Sequence, residues 1–245
     1  MSRFLKTGSG VRAALLSAAV LSLGAGQAMA WTETFNGGFD QTWFFADENG
    51  DPLPGGTLST TGNYLTIDDT DDDYAPAAAS GLVGVVFGDT VVTGDVNISN
   101  GGSNNDLGLL ARAGAGSGYA LAIDLGTGLL ELSRIDTGVV NVLDSTAISG
   151  FAPSNSYYLS FSLTGSTLSG EVFDSFGGTS LGTVGAIDAT YASGAAGIAA
   201  SVNGDVIPTT LLSTFDNITA TPEPGTVVLI GAGSLLLTYR RRKHA

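Results

Sequence analysis

The chain has 245 residues, and nine lysines and arginines against 23 aspartates and glutamates give it a formal net charge of −14 at pH 7. It contains no cysteine, which excludes disulfides, thiol nucleophiles and zinc–thiolate sites. A surface this acidic repels nucleic acid and anionic lipid, so neither is an expected partner, whereas divalent cations are attracted.

Residues 1–30 read as an export signal peptide. Arg3, Lys6 and Arg12 supply the positive start, Ala13 to Leu23 the apolar run, and Ala28-Met29-Ala30 a small-x-small cleavage site ahead of Trp31. Gly24 and Gly26 interrupt the run, which is too short for a permanent membrane span. The secretion machinery and signal peptidase are the partners expected for this segment.

Residues 31–220 are expected to form the exported domain. Seven of the nine cations lie in the two ends of the chain, so this part holds only Arg112 and Arg134 against 22 acidic residues, a formal charge of −20. The single histidine, His244, is in the tail. Ser-His-Asp hydrolysis, histidine-ligated metals and Schiff-base lysines are thereby excluded from the domain, and only carboxylate chemistry remains.

The pattern of the domain is short strands between Gly, Asn, Asp and Ser turns, with no helix. Alternating or β-branched runs predict strands at 63–67, 82–87, 90–98, 107–112, 118–124, 129–136, 139–143, 157–163, 167–174, 197–202 and 211–219. In the clearest of them Leu159, Phe161 and Leu163 face one way, and Tyr158, Ser160 and Ser162 the other. Short strands at spacings of about 8–12 residues predict one antiparallel β-sandwich, and no fixed repeat points to a propeller or solenoid.

Two acidic clusters are candidate cation sites. Asp47, Asn49 and Asp51 imitate the start of an EF-hand loop, but Pro52 replaces its glycine and Leu58 stands in place of its bidentate glutamate, so that reading fails. The run Asp68, Asp69, Asp71, Asp72, Asp73 reads as a solvated loop, with weak calcium capture as the lesser reading. Glu131 near Arg134 reads as a solvated strand pair. Trp43, Phe44, Tyr64, Tyr74, Tyr119, Tyr157 and Tyr158 are candidate sugar-stacking aromatics, although on strands most aromatics serve packing.

The tail, residues 221–245, is read separately. Pro222, Glu223 and Pro224 form a segment with two fixed φ angles and two missing donors, which predicts a non-helical stretch from Thr221 to Pro224 that is open to a protease. Gly225 to Tyr239 carries no charge and would reach ~22 Å as one short transmembrane helix, less than the ~30 Å hydrocarbon core. Arg240, Arg241, Arg242 and Lys243 then mark the cytoplasmic side. This order resembles the PEP-CTERM sorting signal. The resemblance implies recognition and cleavage by an exosortase-like membrane protease, with the protein held briefly in the membrane before reaching the cell surface or medium. A plain tail anchor, or a buried core helix with a chance Pro-Glu-Pro, is the alternative.

Within the domain, Trp31 to Phe35 with Trp43, and Ser213 to Thr219, look like the mutually pairing terminal strands of a concanavalin A-like lectin/glucanase jelly roll. Residues 107–112, 118–136, 157–174 and 194–201 follow that family's order. The resemblance implies a structural calcium between the terminal strands, which would place Glu33 and Asp216 at it. It also implies a concave sheet that binds or hydrolyses sugars. The retaining glucanases of the fold carry E-x-D-x-x-E or E-x-D-x-E, which projects two carboxylates about 5 Å apart on one face. Glu33, Glu48, Glu131 and Glu171 all lack that partner, so no catalytic residue and no required cofactor is assigned. The expectation is a non-enzymatic exported sandwich with an extracellular-matrix or polysaccharide-binding role, which the sorting resemblance also implies. A divergent glycoside hydrolase or polysaccharide lyase, and a purely structural matrix protein, are the alternatives.

Overall fold

The computed structural model describes residues 30–36, 57–59, 65–69, 86–100, 105–114, 116–202 and 211–222. Among these residues there are thirteen β-strands and no helix: β1 (Trp31–Glu33), β2 (Thr57–Ser59), β3 (Leu65–Asp69), β4 (Thr90–Asn100), β5 (Asn105–Gly114), β6 (Ser117–Asp124), β7 (Leu129–Asp136), β8 (Val139–Ala147), β9 (Ser156–Thr164), β10 (Thr167–Phe173), β11 (Ser180–Ile187), β12 (Ala195–Val202) and β13 (Leu211–Pro222). They form two antiparallel sheets. The larger runs β11-β10-β9-β4-β13-β3-β2 with β1 beside β13, and the smaller runs β12-β5-β6-β7-β8. The described residues form an all-β antiparallel sandwich, as the strand pattern predicts, and it is of the jelly-roll kind that the resemblance implies.

The alternation read in β9 holds: Tyr157, Leu159, Phe161 and Leu163 are buried while Tyr158, Ser160 and Ser162 lie toward the outer face. Leu159, Phe161 and Leu163 join Val92 and Val96 of β4, Leu168 and Val172 of β10 and Phe215 of β13. These meet Leu107, Leu109, Leu121, Ile123, Leu130, Leu132 and Ile198 of the smaller sheet in one core. Gly170 of β10 faces Leu121 of the smaller sheet, and a Cβ there would collide with the Leu121 side chain.

Tight turns set the register. Thr164 pairs with Thr167 across a two-residue loop, and Gly165 has φ 58°, the left-handed conformation that a type II′ hairpin requires at its first central position. The terminal strands pair as expected, with Trp31 opposite Ala220 and Glu33 opposite Ile218.

Three differences from the sequence reading have physical causes. Ser180–Ile187 is a strand although Gly182 and Gly185 weaken its pattern, because it is an edge strand held by β10. Phe87 makes only an isolated bridge to Gly194, where a strand from 82 to 87 was expected; residues 82–85 lie outside the described residues. Asp68 and Asp69 end β3, paired with Leu212 and Leu211, rather than opening a solvated loop.

The last strand does not stop at the sequence-based boundary. β13 continues through Thr221 opposite Val91 and Pro222 opposite Thr90. The Thr90 hydroxyl donates to the Thr221 carbonyl at 2.9 Å.

Candidate functional site

Cross-strand register lines up a strip of side chains on the outer face of the larger sheet. Phe173 of β10 stands opposite Tyr158 of β9, Tyr158 opposite Asp95 of β4, and Asp95 opposite Asp216 of β13. With strands about 4.8 Å apart, the strip is roughly 15 Å long. Phe176, in the β10–β11 turn and 79% exposed, extends it at the aromatic end. The Tyr158 ring lies 5.2 Å from that of Phe176, edge on, and 6.2 Å from that of Phe173.

The other end of the strip is polar and anionic. A bulge in β13 puts Asn217 at φ 51°, and from there its side-chain amide donates to Asp95 Oδ2 at 2.8 Å. The Asn217 backbone N–H donates to Asp216 Oδ1 at 2.7 Å. Partial burial raises the Asp216 pKa, the Asn217 N–H opposes this, and the Asp95 charge adds to the rise. Glu171, opposite Ser160, and Thr93, opposite both Ser160 and Thr219, continue the polar surface in the next row.

A second polar cluster closes one end of the sandwich. Arg134 Nε donates to both oxygens of Asp136 at 2.9 and 3.1 Å, and its Nη1 donates to Asp188 Oδ2 at 2.7 Å. The Tyr119 hydroxyl donates to Asp188 Oδ1 at 2.7 Å, and that of Tyr191 to Asp136 Oδ1 at 2.6 Å. Burial pushes the Asp188 carboxyl up, but hydrogen bonds from Tyr119, Thr190 and Arg134 outweigh it and hold the group well below the ordinary aspartate value. Nearby, buried Arg112 donates to the carbonyls of Gly88, Gly165 and Tyr191 and pairs with Asp89 at 3.2 Å. Both clusters tie loops together, and every polar partner named in them belongs to the chain itself.

The residues singled out in the sequence are distributed as follows. Glu33 is fully buried on the core side of β1, and its Oε1 accepts from the Phe35 N–H at 3.0 Å. Asp216 projects from the opposite, outer side of the same sheet, so the structure does not bring these two together. Among the described residues no group of three or more His, Asp or Glu is placed to hold a metal ion. Glu131 and Arg134 do not pair. Three positions apart on one strand, they face opposite ways, and Arg134 is held by Asp136 and Asp188 instead.

Of the aromatics, Tyr119 and Tyr157 are buried, Tyr157 bonding the backbone of Ala152, and only Tyr158 is on the outer face. Trp43, Phe44, Tyr64 and Tyr74 lie outside the described residues, as do Asp47, Asp51, Asp71, Asp72 and Asp73. Ala30 is exposed just ahead of β1, and Pro222 ends β13. Ala28, Glu223, Pro224, Arg240, Arg241, Arg242, Lys243 and the expected membrane helix are outside the described residues.

Phe173 and Phe176 were missed. The Gly165 hairpin carried the information, because a two-residue turn between 164 and 167 fixes Phe173 opposite Tyr158.

Comparison with known proteins adds to this geometry. Residues 220–243 match the PEP-CTERM protein-sorting motif. The chain therefore ends in a PEP-CTERM sorting motif. Such a motif implies an exosortase-sorted surface protein that is exported and carries a membrane-anchored sorting signal.

A search of curated proteins finds no match. Among solved structures, carbohydrate-binding module CBM66 from Bacillus subtilis is similar at 17% identity and TM-score 0.53, covering 74% of this chain and 96% of the module. A mutant of the GH43 protein BlXynB from Bacillus licheniformis is similar at 12% identity and TM-score 0.56 over 78% of this chain, which spans only 39% of that protein's length. A protein of unknown function from Shewanella oneidensis MR-1 matches at 13% identity and TM-score 0.52, covering 90% of this chain and 96% of its own. At these identities the likeness concerns the fold.

Proposed function

We propose that the mature PEP-CTERM protein is a non-enzymatic sugar-binding module of the cell surface or extracellular matrix. Its ligand is a polysaccharide lying along the strip Phe176, Phe173, Tyr158, Asp95 and Asp216. The observation that carries this reading is the line of exposed Phe176 and half-buried Phe173 and Tyr158 running to a carboxylate and amide end on the outer face of one sheet. The C–H face of a pyranose packs on aromatic rings, while its hydroxyls donate to carboxylates and accept from an amide. A similar fold in a named carbohydrate-binding module supports the reading. The absence of a second carboxylate at glucanase spacing from Glu131 or Glu171 supports binding without turnover.

The test is a glycan array, followed by titration of the best polysaccharide against the mature protein and its Tyr158→Ala and Phe176→Ala variants. Each truncation is expected to weaken binding by about tenfold, since one stacking aromatic contributes on the order of 1–2 kcal/mol. An array with no bound glycan, or binding untouched by both substitutions, refutes the assignment. Release of reducing ends would instead favour a glycoside hydrolase.

A further inference from the structure

The strand that completes the larger sheet is also the strand from which the sorting segment leaves. β13 stays paired to β4 as far as Pro222, and only residues 223–226 separate it from the apolar run beginning at Val227. Four extended residues reach at most about 14 Å. While the chain is anchored, the end of the sandwich that holds Thr90 and Pro222 is therefore confined close to the bilayer.

That end differs from the rest of the molecule. The register brings together at it the start of β4, the β9–β10 and β7–β8 turns, the end of β11 and the start of β8. Four exposed apolar side chains are here: Val86 at 54%, Val139 at 61%, Val140 at 41% and Ile187 at 83%. Phe176 is at the opposite end. Both arginines of the exported part are also here, Arg112 on Asp89 and Arg134 on Asp136 and Asp188. These five groups sum to a formal charge of −1, so among the described residues this end carries little of the domain's negative charge. Among the described residues, repulsion of anionic lipid is therefore weak at this end.

We propose that this end is a membrane-facing surface. Val86, Val139, Val140 and Ile187 rest at the interface of the bilayer that anchors the precursor, and the acidic outer surfaces and the Phe176–Asp216 strip are held away from it. The tether supplies a high local concentration, so a small apolar patch is enough to orient the domain. This does not depend on sugar binding.

The full-length precursor, reconstituted in nanodiscs of phosphatidylethanolamine and phosphatidylglycerol, tests it. The chain has no cysteine, so Val139→Cys, Ile187→Cys and Phe176→Cys each accept one environment-sensitive fluorophore. Labels at 139 and 187 are expected to brighten at least about twofold relative to 176, with a blue shift, and to be quenched by nitroxide lipid. Equal, water-like emission at all three positions overturns the proposal. Shielding of 139 and 187 that appears only when an exosortase is co-reconstituted also overturns it, and assigns the surface to the enzyme. Adding Val86→Asp to the Ile187→Cys chain is expected to lower the quenching while the fold, read by circular dichroism, persists.

Discussion

Asp95 and Asp216 stand directly opposite each other on β4 and β13, two like charges on adjacent strands of one sheet face. Such a pair costs stability unless a ligand uses it, at a few tenths to about 1 kcal/mol. Because Asp216 titrates above its ordinary value, the fold binds its proton more tightly than the unfolded chain. Stability from this group therefore grows as pH falls through the raised value, and is lacking at neutral pH. Asp95→Asn is expected to raise the melting temperature at pH 7 by about 1–3 °C and to lower the Asp216 pKa in a carboxyl NMR titration. An unchanged Asp216 titration in that variant would show that Asp95 does not act on it.

Asp188 has the opposite sign. Its pKa is depressed, so the ionised group stabilises the fold above the ordinary aspartate range, and that contribution is lost as pH falls from about 4 toward the lowered value. Asp188→Asn is expected to cost about 2 kcal/mol at pH 7 and progressively less in acid. Urea unfolding at several pH values checks this. Parallel curves for parent and variant would mean that Asp188 is not the titrating group.

Arg112 is a buried cation that satisfies three carbonyls and one carboxylate. Its replacement by methionine removes the donor from the three carbonyls and the cation from beside Asp89, which keeps only the Gly165 N–H, and a loss of about 3 kcal/mol or more is expected. Arg112→Lys should restore little, because an ammonium cannot reproduce the planar fork that reaches Gly88, Gly165, Tyr191 and Asp89 together. Full recovery with lysine would reduce the site to a point charge.

Gly170 and Leu121 meet across the core from opposite sheets. Gly170→Ala is expected to cost about 1–3 kcal/mol by overpacking. Combined with Leu121→Ala, it should cost less than the sum of the two single changes, because the truncated leucine makes room. Strict additivity would mean that the sheets do not touch there.

The architecture was legible wherever one strand carries its own evidence. Leu159, Phe161 and Leu163 alternate with polar neighbours, and that alone fixes a half-buried strand. The candidate strip was not legible in the same way, because Phe173, Tyr158, Asp95 and Asp216 lie on four strands whose adjacency is a property of sheet order. Tyr158 was visible as outward-facing, but its neighbours were not. Spacing also misled at Arg134, where proximity in sequence to Glu131 suggested a pair that the two-residue period of a strand forbids. Glu33 and Asp216 were matched by resemblance to terminal strands, and that resemblance specifies which strands pair but not which side of the sheet each carboxylate takes.

The position of β13 makes completion of the fold wait for the far end of the domain. It lies inside the larger sheet, between β4 and β3, and Phe215, Ile218 and Ala220 are core residues, yet it is the last part of the domain to be synthesised. Until it arrives, β4 is an open edge and the core lacks these side chains, so the sheet cannot close around a partly translocated chain. A chain that has not yet delivered β13 therefore cannot complete the sandwich, and the strand that completes it is the one joined directly to the sorting motif.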